Sequence, residues 1–167
     1  GLIGCGGRGS GAASQALNAD PNVVLTAMGD AFGDRLQNSL RALKQSNGER
    51  VQVTPEKSFV GFDAYQKVIE SGVDVVILAT PPGFRPYHLK AAVEAGKHVF
   101  CEKPMAVDGP GVRSVLESAA KAKEKKLALA SGFCWRSNYG ERELFKRIHD
   151  GQIGEPMALH NTYNTGP

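Results

Sequence analysis

The sequence predicts an α/β fold in which a doubly wound parallel sheet carries helices between its strands. Three observations predict it. Apolar runs of strand length alternate with stretches of helical period along the chain. A glycine-rich turn, Gly4-Cys5-Gly6-Gly7-Arg8-Gly9, follows the first of these runs. A later run, His98-Val99-Phe100-Cys101, ends at Glu102-Lys103-Pro104, so a cationic side chain stands at the carboxyl end of a strand, where an open α/β sheet presents groups to a ligand.

The strands expected are Gly1 to Gly4, Val23 to Gly29, Val73 to Thr80, His98 to Cys101 and Leu127 to Phe133, all apolar enough to be buried on both faces. The first helix follows Gly9, and its Ala12, Ala13 and Ala16 are small enough to approach the sheet closely. A second helix covers about Asp34 to Gln45. A third, about Asp63 to Ser71, has Asp63 as its N-cap and Gly72 as its stop. Between them, Val51-Gln52-Val53 alternates like a short strand, but Pro55 and Gly61 make 50–61 a connection with at most an edge strand.

After Pro81-Pro82 comes a helix of about Pro86 to Ala95, ended by Gly96. Asp108 caps a longer helix in which Val112, Val115, Leu116, Ala119 and Ala120 fall at i, i+3, i+4, i+7 and i+8, a single stripe expected to be buried. A last helix runs from about Tyr139 to His149 and stops at Asp150-Gly151. Periodicity then changes at Gly154-Glu155-Pro156, and Ala158 to Tyr163 reads as a strand. This divides the chain into a dinucleotide-binding domain of Rossmann type, 1–154, and the first strand of a second α/β domain, 155–167. With no initiator Met, and with Gly1-Leu2-Ile3 already inside the first strand, the chain is expected to be a piece of a longer protein.

The 167 residues can bury one full α/β core, since domains cluster at roughly 100–150 residues. Net charge is +3, and the one basic run, Lys121 to Lys126, suits a solvated helix end. Nothing in the sequence points to nucleic acid or to a membrane span. Cys5, Cys101 and Cys134 are odd in number and widely spaced, which indicates neither a disulfide framework nor a zinc site, and they read as small buried hydrophobes.

The glycine turn has the spacing of a dinucleotide site. Gly4 permits the tight turn out of the strand, Gly6 lets backbone approach a diphosphate, and Gly9 lets helix and strand pack closely. The helix N-terminus beyond it, with Cys5, Gly7 and Arg8 in the turn, supplies donors and a positive dipole end for the diphosphate. Asp30, about 20 residues beyond the last glycine, is the ribose-binding acid. A carboxylate there repels a 2′-phosphate, so NAD is expected over NADP, although Arg8 and Arg35 could soften that preference by pairing with a phosphate. Thr80-Pro81-Pro82 ends the central strand and should pass near the nicotinamide ribose. His88, one turn beyond, is the least bland of four histidines. Trp135-Arg136 reads either as an edge of the cofactor or substrate site or as a packing Trp beside a solvated Arg.

With Gly-Leu-Ile-Gly-Cys-Gly-Gly-Arg-Gly from Gly1, Val-Asp-Val-Val-Ile-Leu-Ala-Thr-Pro-Pro from Val73 and Ala-Gly-Lys-His-Val-Phe-Cys-Glu-Lys-Pro from Ala95, the chain resembles the N-terminal part of the Gfo/Idh/MocA oxidoreductases. Ile148 to Pro156 is similar to that family's passage into its second domain. The resemblance implies an NAD-dependent enzyme that acts on sugars, cyclitols or related polyols and assembles as a homodimer or homotetramer; the reduced-looking cysteines favour the cytoplasm, although several members of that family are exported. It implies that Lys103 is the catalytic cation beside the substrate hydroxyl, that Glu102 contacts the nicotinamide ribose or positions the lysine, and that a cis Lys103-Pro104 bond is plausible. A lysine ammonium is charged at neutral pH, so Lys103 is expected to stabilise charge and not to act as the base. The family's Asp-x-x-x-His proton-transfer pattern does not occur here, and His88, His98, His149 and His160 do not replace it. Two other readings stay open: an NAD-dependent glycosidase of the same superfamily, and a non-catalytic dinucleotide-sensing protein.

Overall fold

The structure is a computed structural model that describes residues 1–164, and its chain falls into two compact units, Gly1–Gly132 and Phe133–Pro167. The first is a six-stranded sheet in the order β3-β2-β1-β4-β5-β6. Its strands are β1 (Leu2–Ile3), β2 (Met28–Asp30), β3 (Ser58–Val60), β4 (Val75–Leu78), β5 (His98–Cys101) and β6 (Leu129–Ser131). All five pairings are parallel. Strand order reverses direction between β1 and β4, and at such a switch point two neighbouring loops diverge and leave a crevice at the carboxyl ends of the strands.

Helices connect every pair of strands: α1 (Gly7–Ala19), α2 (Gly33–Asn47), α3 (Ala64–Glu70), α4 (Arg85–Glu94) and α5 (Gly109–Glu124). Leu2, Met28 and Ile77 face α1 and α2 and form one core with Ala12, Ala13, Leu17, Leu36 and Leu43. The opposite face buries Ile3, Val76, Leu78, Val99 and Cys101 against Val68, Leu89, Ala92, Val93 and Ala122 of the other three helices. Alternation along each strand sends successive residues to the two cores.

Several expected features differ. The second strand is shorter than Val23 to Gly29: it begins at Met28, and Leu25 instead makes an isolated bridge to Val51. The edge strand of the 50–61 connection is Ser58–Val60, paired with β2. Not every strand is buried on both faces, for Val75 is 47% exposed and Ala130 and Ser131 lie open. Within this unit two helices cover one face and three the other, and the two lie over β1 and β2.

The apolar stripe expected on α5 is rotated. Its buried residues are Ser118 and Ala122, whereas Val112 and Leu116 are exposed. Val115 still reaches the core from the edge of the buried face. Small residues at 118 and 122 let α5 lie close to α4, and that proximity selects the contact face over side-chain size. Asp108 caps α5 as expected, its Oδ1 accepting from Gly111 N at 2.7 Å. Asp63 precedes α3 without capping it and pairs instead with Lys67 at 2.8 Å. Gly72 and Gly96 follow their helices with φ of +89° and +72°, the left-handed stop that favours glycine.

The second unit contains a short 3-10 turn, Cys134–Ser137, and α6 (Tyr139–His149), whose first N–H groups at Gly140 and Glu141 donate to the Asn138 side chain. The strand expected at Ala158 to Tyr163 is not formed; residues 155–164 are exposed, and a strand needs a ladder partner that this stretch lacks. The remainder of the expected 155–167 segment, 165–167, lies outside the described residues. Cys5 and Cys101 are buried as expected, but Cys134 is exposed.

Candidate active site

The glycine turn is built by close approach. Gly4 has φ +93°, and a Cβ there would stand 2.6 Å from Thr80 N. At Gly9 a Cβ would stand 1.9 Å from Gly4 O. These two glycines are required by the protein itself, because they let the β1–α1 turn press against the end of β4. Gly6 and Gly7 are different: a Cβ at either would meet no atom within 4 Å. Their backbone lines a shallow recess of about 420 Å³ together with Cys5, Ser10, Arg35, Asn38, Ser39 and Ala42.

Asp30 closes the carboxyl end of β2. One carboxylate oxygen accepts from Cys5 N at 2.6 Å and the other from Phe32 N at 2.9 Å. A carboxylate has about four lone-pair positions, so two remain for hydroxyl donors. Arg35 lies over the Phe32 ring at 5.4 Å. Burial and the charge of Asp30 push the Cys5 thiol up to about 12, so Cys5 contributes its backbone N–H and not a nucleophile.

On the other side of the switch point stands Glu102, 2% exposed. Its carboxylate accepts from Arg8 Nε at 2.8 Å and from Nη2 at 2.6 Å, so Arg8 reaches from the glycine turn to the end of β5. Gly132 makes room for this carboxylate, since a Cβ there would fall 2.8 Å from Oε2. The Glu102 N–H donates to Leu78 O at 2.9 Å. Lys103 follows as an exposed side chain, and the Lys103-Pro104 peptide is cis.

Thr80 lies two residues beyond β4, and its hydroxyl lies 3.1 Å from His88 Nδ1. His88 is 7% exposed and stacks on Tyr65 at 4.2 Å. It therefore sits behind Thr80 and fixes that side chain. Pro81 is exposed and Pro82 half-buried, and Pro81 O accepts from Phe84 N at 3.0 Å to turn the chain into α4. Trp135 and Arg136 belong to the second unit, where Trp135 faces Tyr163 at 6.2 Å and Arg136 lies over Phe133 at 5.8 Å.

Sequence reasoning missed Arg85. It is 5% exposed and donates through Nη1 to the carbonyl oxygens of Glu102 and Pro104. The only signal was an arginine followed by proline at the start of a helix. A larger groove of about 640 Å³ opens near the amino ends of the strands, lined mainly by Ala12, Ala16, Val23, Val75, Ile77 and Phe100. It holds no constellation able to do chemistry, so the site is assigned to the carboxyl edge.

Residues 1–133 match the family described as an oxidoreductase family with an NAD-binding Rossmann fold, Gfo/Idh/MocA. The chain belongs to that family. It is 33% identical to inositol 2-dehydrogenase 4 of Saccharopolyspora erythraea, over 96% of this chain and 43% of the relative. Among solved structures it is similar to myo-inositol 2-dehydrogenase from Lactobacillus plantarum, with a TM-score of 0.71, 26% identity and coverage of 92% of this chain and 41% of that one. It is also similar to a 3-ketoreductase from Actinomadura kijaniata in complex with NADP, with a TM-score of 0.66, 28% identity and coverage of 92% and 44%. The chain thus spans less than half the length of these relatives. Its residues fit the dinucleotide of the family: open backbone at Gly6 and Gly7, helix N–H donors behind them, and two unused lone-pair positions on Asp30.

Burial also gives the site a pH signature. It pushes His88 down from its ordinary 6.5 to about 4, so the folded protein keeps the ring neutral while the unfolded chain takes up a proton. Stability from this group is complete above about pH 6.5 and is lost as pH falls toward about 4. Between about pH 7 and about pH 4.5, the unfolding free energy of the wild type should fall by roughly 2 kcal/mol more than that of His88→Asn. Equal pH dependence of the two in denaturant titrations would contradict this.

Proposed function

We propose that this chain supplies the cofactor half, and one substrate-side cation, of an NAD-dependent oxidoreductase that moves hydride between the nicotinamide and a sugar, cyclitol or related polyol. The observation that carries the reading is the Arg8–Glu102 pair at 2.6 Å. It ties the turn with dinucleotide spacing to the residue immediately before Lys103, so that a cofactor site and a candidate reacting group form one structure.

NAD, when bound, supplies a two-electron acceptor for hydride from a carbinol carbon. The chain's own residues bind, orient and stabilise charge. The turn from Gly4 to Gly9 and the start of α1 donate N–H groups to a diphosphate. Asp30 accepts hydrogen bonds from a ribose and disfavours a 2′-phosphate. Thr80, held by His88, and Pro81-Pro82 shape the nicotinamide side. Lys103 orients the substrate hydroxyl and stabilises negative charge as its proton leaves.

The proton acceptor is assigned to the relatives' further length and not to this chain. His88 is committed to Thr80, and His98 Nδ1 accepts from Ala128 N at 2.9 Å. We place the start of the substrate domain at 155–167. Inositols are the first substrates to assay, because the similar dehydrogenases are named for them.

In the full-length protein, Lys103→Ala should lower turnover of the best polyol by about 10²–10³-fold and leave NADH affinity within a few-fold, as followed by NADH formation and by fluorescence of bound NADH. Unchanged turnover would remove Lys103 from the mechanism, and sugar release without net NAD reduction would replace a dehydrogenase with a glycosidase. Asp30 should make NADH bind more tightly than NADPH in direct titrations. The reverse order would refute its assignment to the ribose.

A further inference from the structure

Arg85 is the first residue of α4 and is almost fully buried. A buried cation is costly unless it is paired, yet among the described residues no carboxylate forms an ion pair with it. Its Nε has no hydrogen-bond partner. Burial pushes its pKa down, but arginine remains protonated in proteins. All of its polar contacts go through Nη1 to two backbone carbonyls, those of Glu102 and Pro104.

Those carbonyls lie one residue before and one residue after Lys103. Between them the Lys103 side chain is exposed, with no hydrogen bond or ion pair of its own among the described residues. A flexible ammonium on a four-carbon stem is poorly preorganised, so its precision must come from the backbone that carries it. The other ties in this stretch hold only its first residue: Leu78 O accepts from Glu102 N, and Arg8 pairs with the Glu102 side chain. Arg85 alone grips the segment on both sides of the lysine. The guanidinium is suited to this because its planar fork holds several donors in fixed geometry.

We propose that Arg85 is a positioning residue that sets the placement of the Lys103 ammonium by clamping the carbonyls of Glu102 and Pro104. The proposal rests on the reading of Lys103 given above. Arg85 touches neither recess nor substrate in this reading, and it acts through the backbone. A displacement of about 1 Å at a reacting group can cost about 10²-fold in rate, so loss of the clamp should appear in kcat and spare cofactor binding.

The test uses full-length protein carrying Arg85→Gln or Arg85→Lys, each in the wild-type and Lys103→Ala backgrounds. The readouts are kcat, KM and NADH affinity, with the polyol that wild type oxidises fastest. Arg85→Gln should lower kcat by about 10–100-fold with NADH affinity within about threefold, and Arg85→Lys should recover part of that loss. In the Lys103→Ala background Arg85→Gln should add little, because both changes remove the same function.

Wild-type kcat in Arg85→Gln, equal weakening of NADH binding, or a full multiplicative loss on top of Lys103→Ala would overturn the proposal. If Arg85→Gln does not fold, Arg85→Met, which keeps the stem and removes the charge, takes its place, and failure of both to fold assigns Arg85 to stability and overturns a positioning role. An unchanged Lys103→Ala enzyme would refute the Lys103 reading itself, an outcome separable from the behaviour of Arg85 in the wild-type background.

Discussion

Glu102 is a carboxylate removed from water, and the geometry of the site depends on how that charge is held. Its side chain is paired with Arg8, its N–H with Leu78 O, and its carbonyl with Arg85. Removing one partner from a buried pair typically costs 3–5 kcal/mol, because it strands the other charge. The glycine turn, the end of β4 and the end of β5 are therefore held in one arrangement by a single residue. Arg8 is half-exposed, so its end of the pair stays near solvent while the acid end is locked.

This arrangement works because the backbones beneath it are close. Gly4 abuts Thr80 and Gly9 abuts Gly4, which sets the β1–α1 turn against the loop after β4 at the switch point of the sheet. From there, polar groups follow the carboxyl ends of three strands along one edge of the sheet: Asp30 at the end of β2, Thr80 in the loop after β4 and Lys103 in the loop after β5. The concavity at the opposite edge is larger, but volume without a set of reactive polar groups offers no chemistry.

The parallel, doubly wound sheet and most helix ends were legible in the sequence, because apolar runs of strand length, glycine stops and the Asp108 cap are local signals. The packing roles of Gly4 and Gly9 were legible for the same reason: a tight turn announces itself within a few residues. What failed depended on partners distant in sequence. The buried face of α5 is chosen by closeness to α4 at Ser118 and Ala122, which no count of Val and Leu reveals. The pairing of Arg8 with Glu102 joins positions 94 apart, so no local signal announces it. Arg85 looks like a solvent-exposed helix-start arginine until the carbonyls on either side of Lys103 are brought beside it. A strand at 158–163 has the right alternation and no partner within the described chain.

The central claim is that the open backbone at Gly6 carries a dinucleotide. Gly6 has an extended conformation, φ −71° and ψ −179°, and a Cβ there would meet no atom within 4 Å. Replacement should therefore leave the protein folded and obstruct only what lies over the turn. The decisive measurement is NADH titration of full-length Gly6→Val beside wild type, with thermal unfolding of both. Gly6→Val should keep the wild-type unfolding temperature and lose NADH affinity by more than about tenfold, a difference of about 1.4 kcal/mol; a folded variant that binds NADH as wild type does would contradict the proposed function.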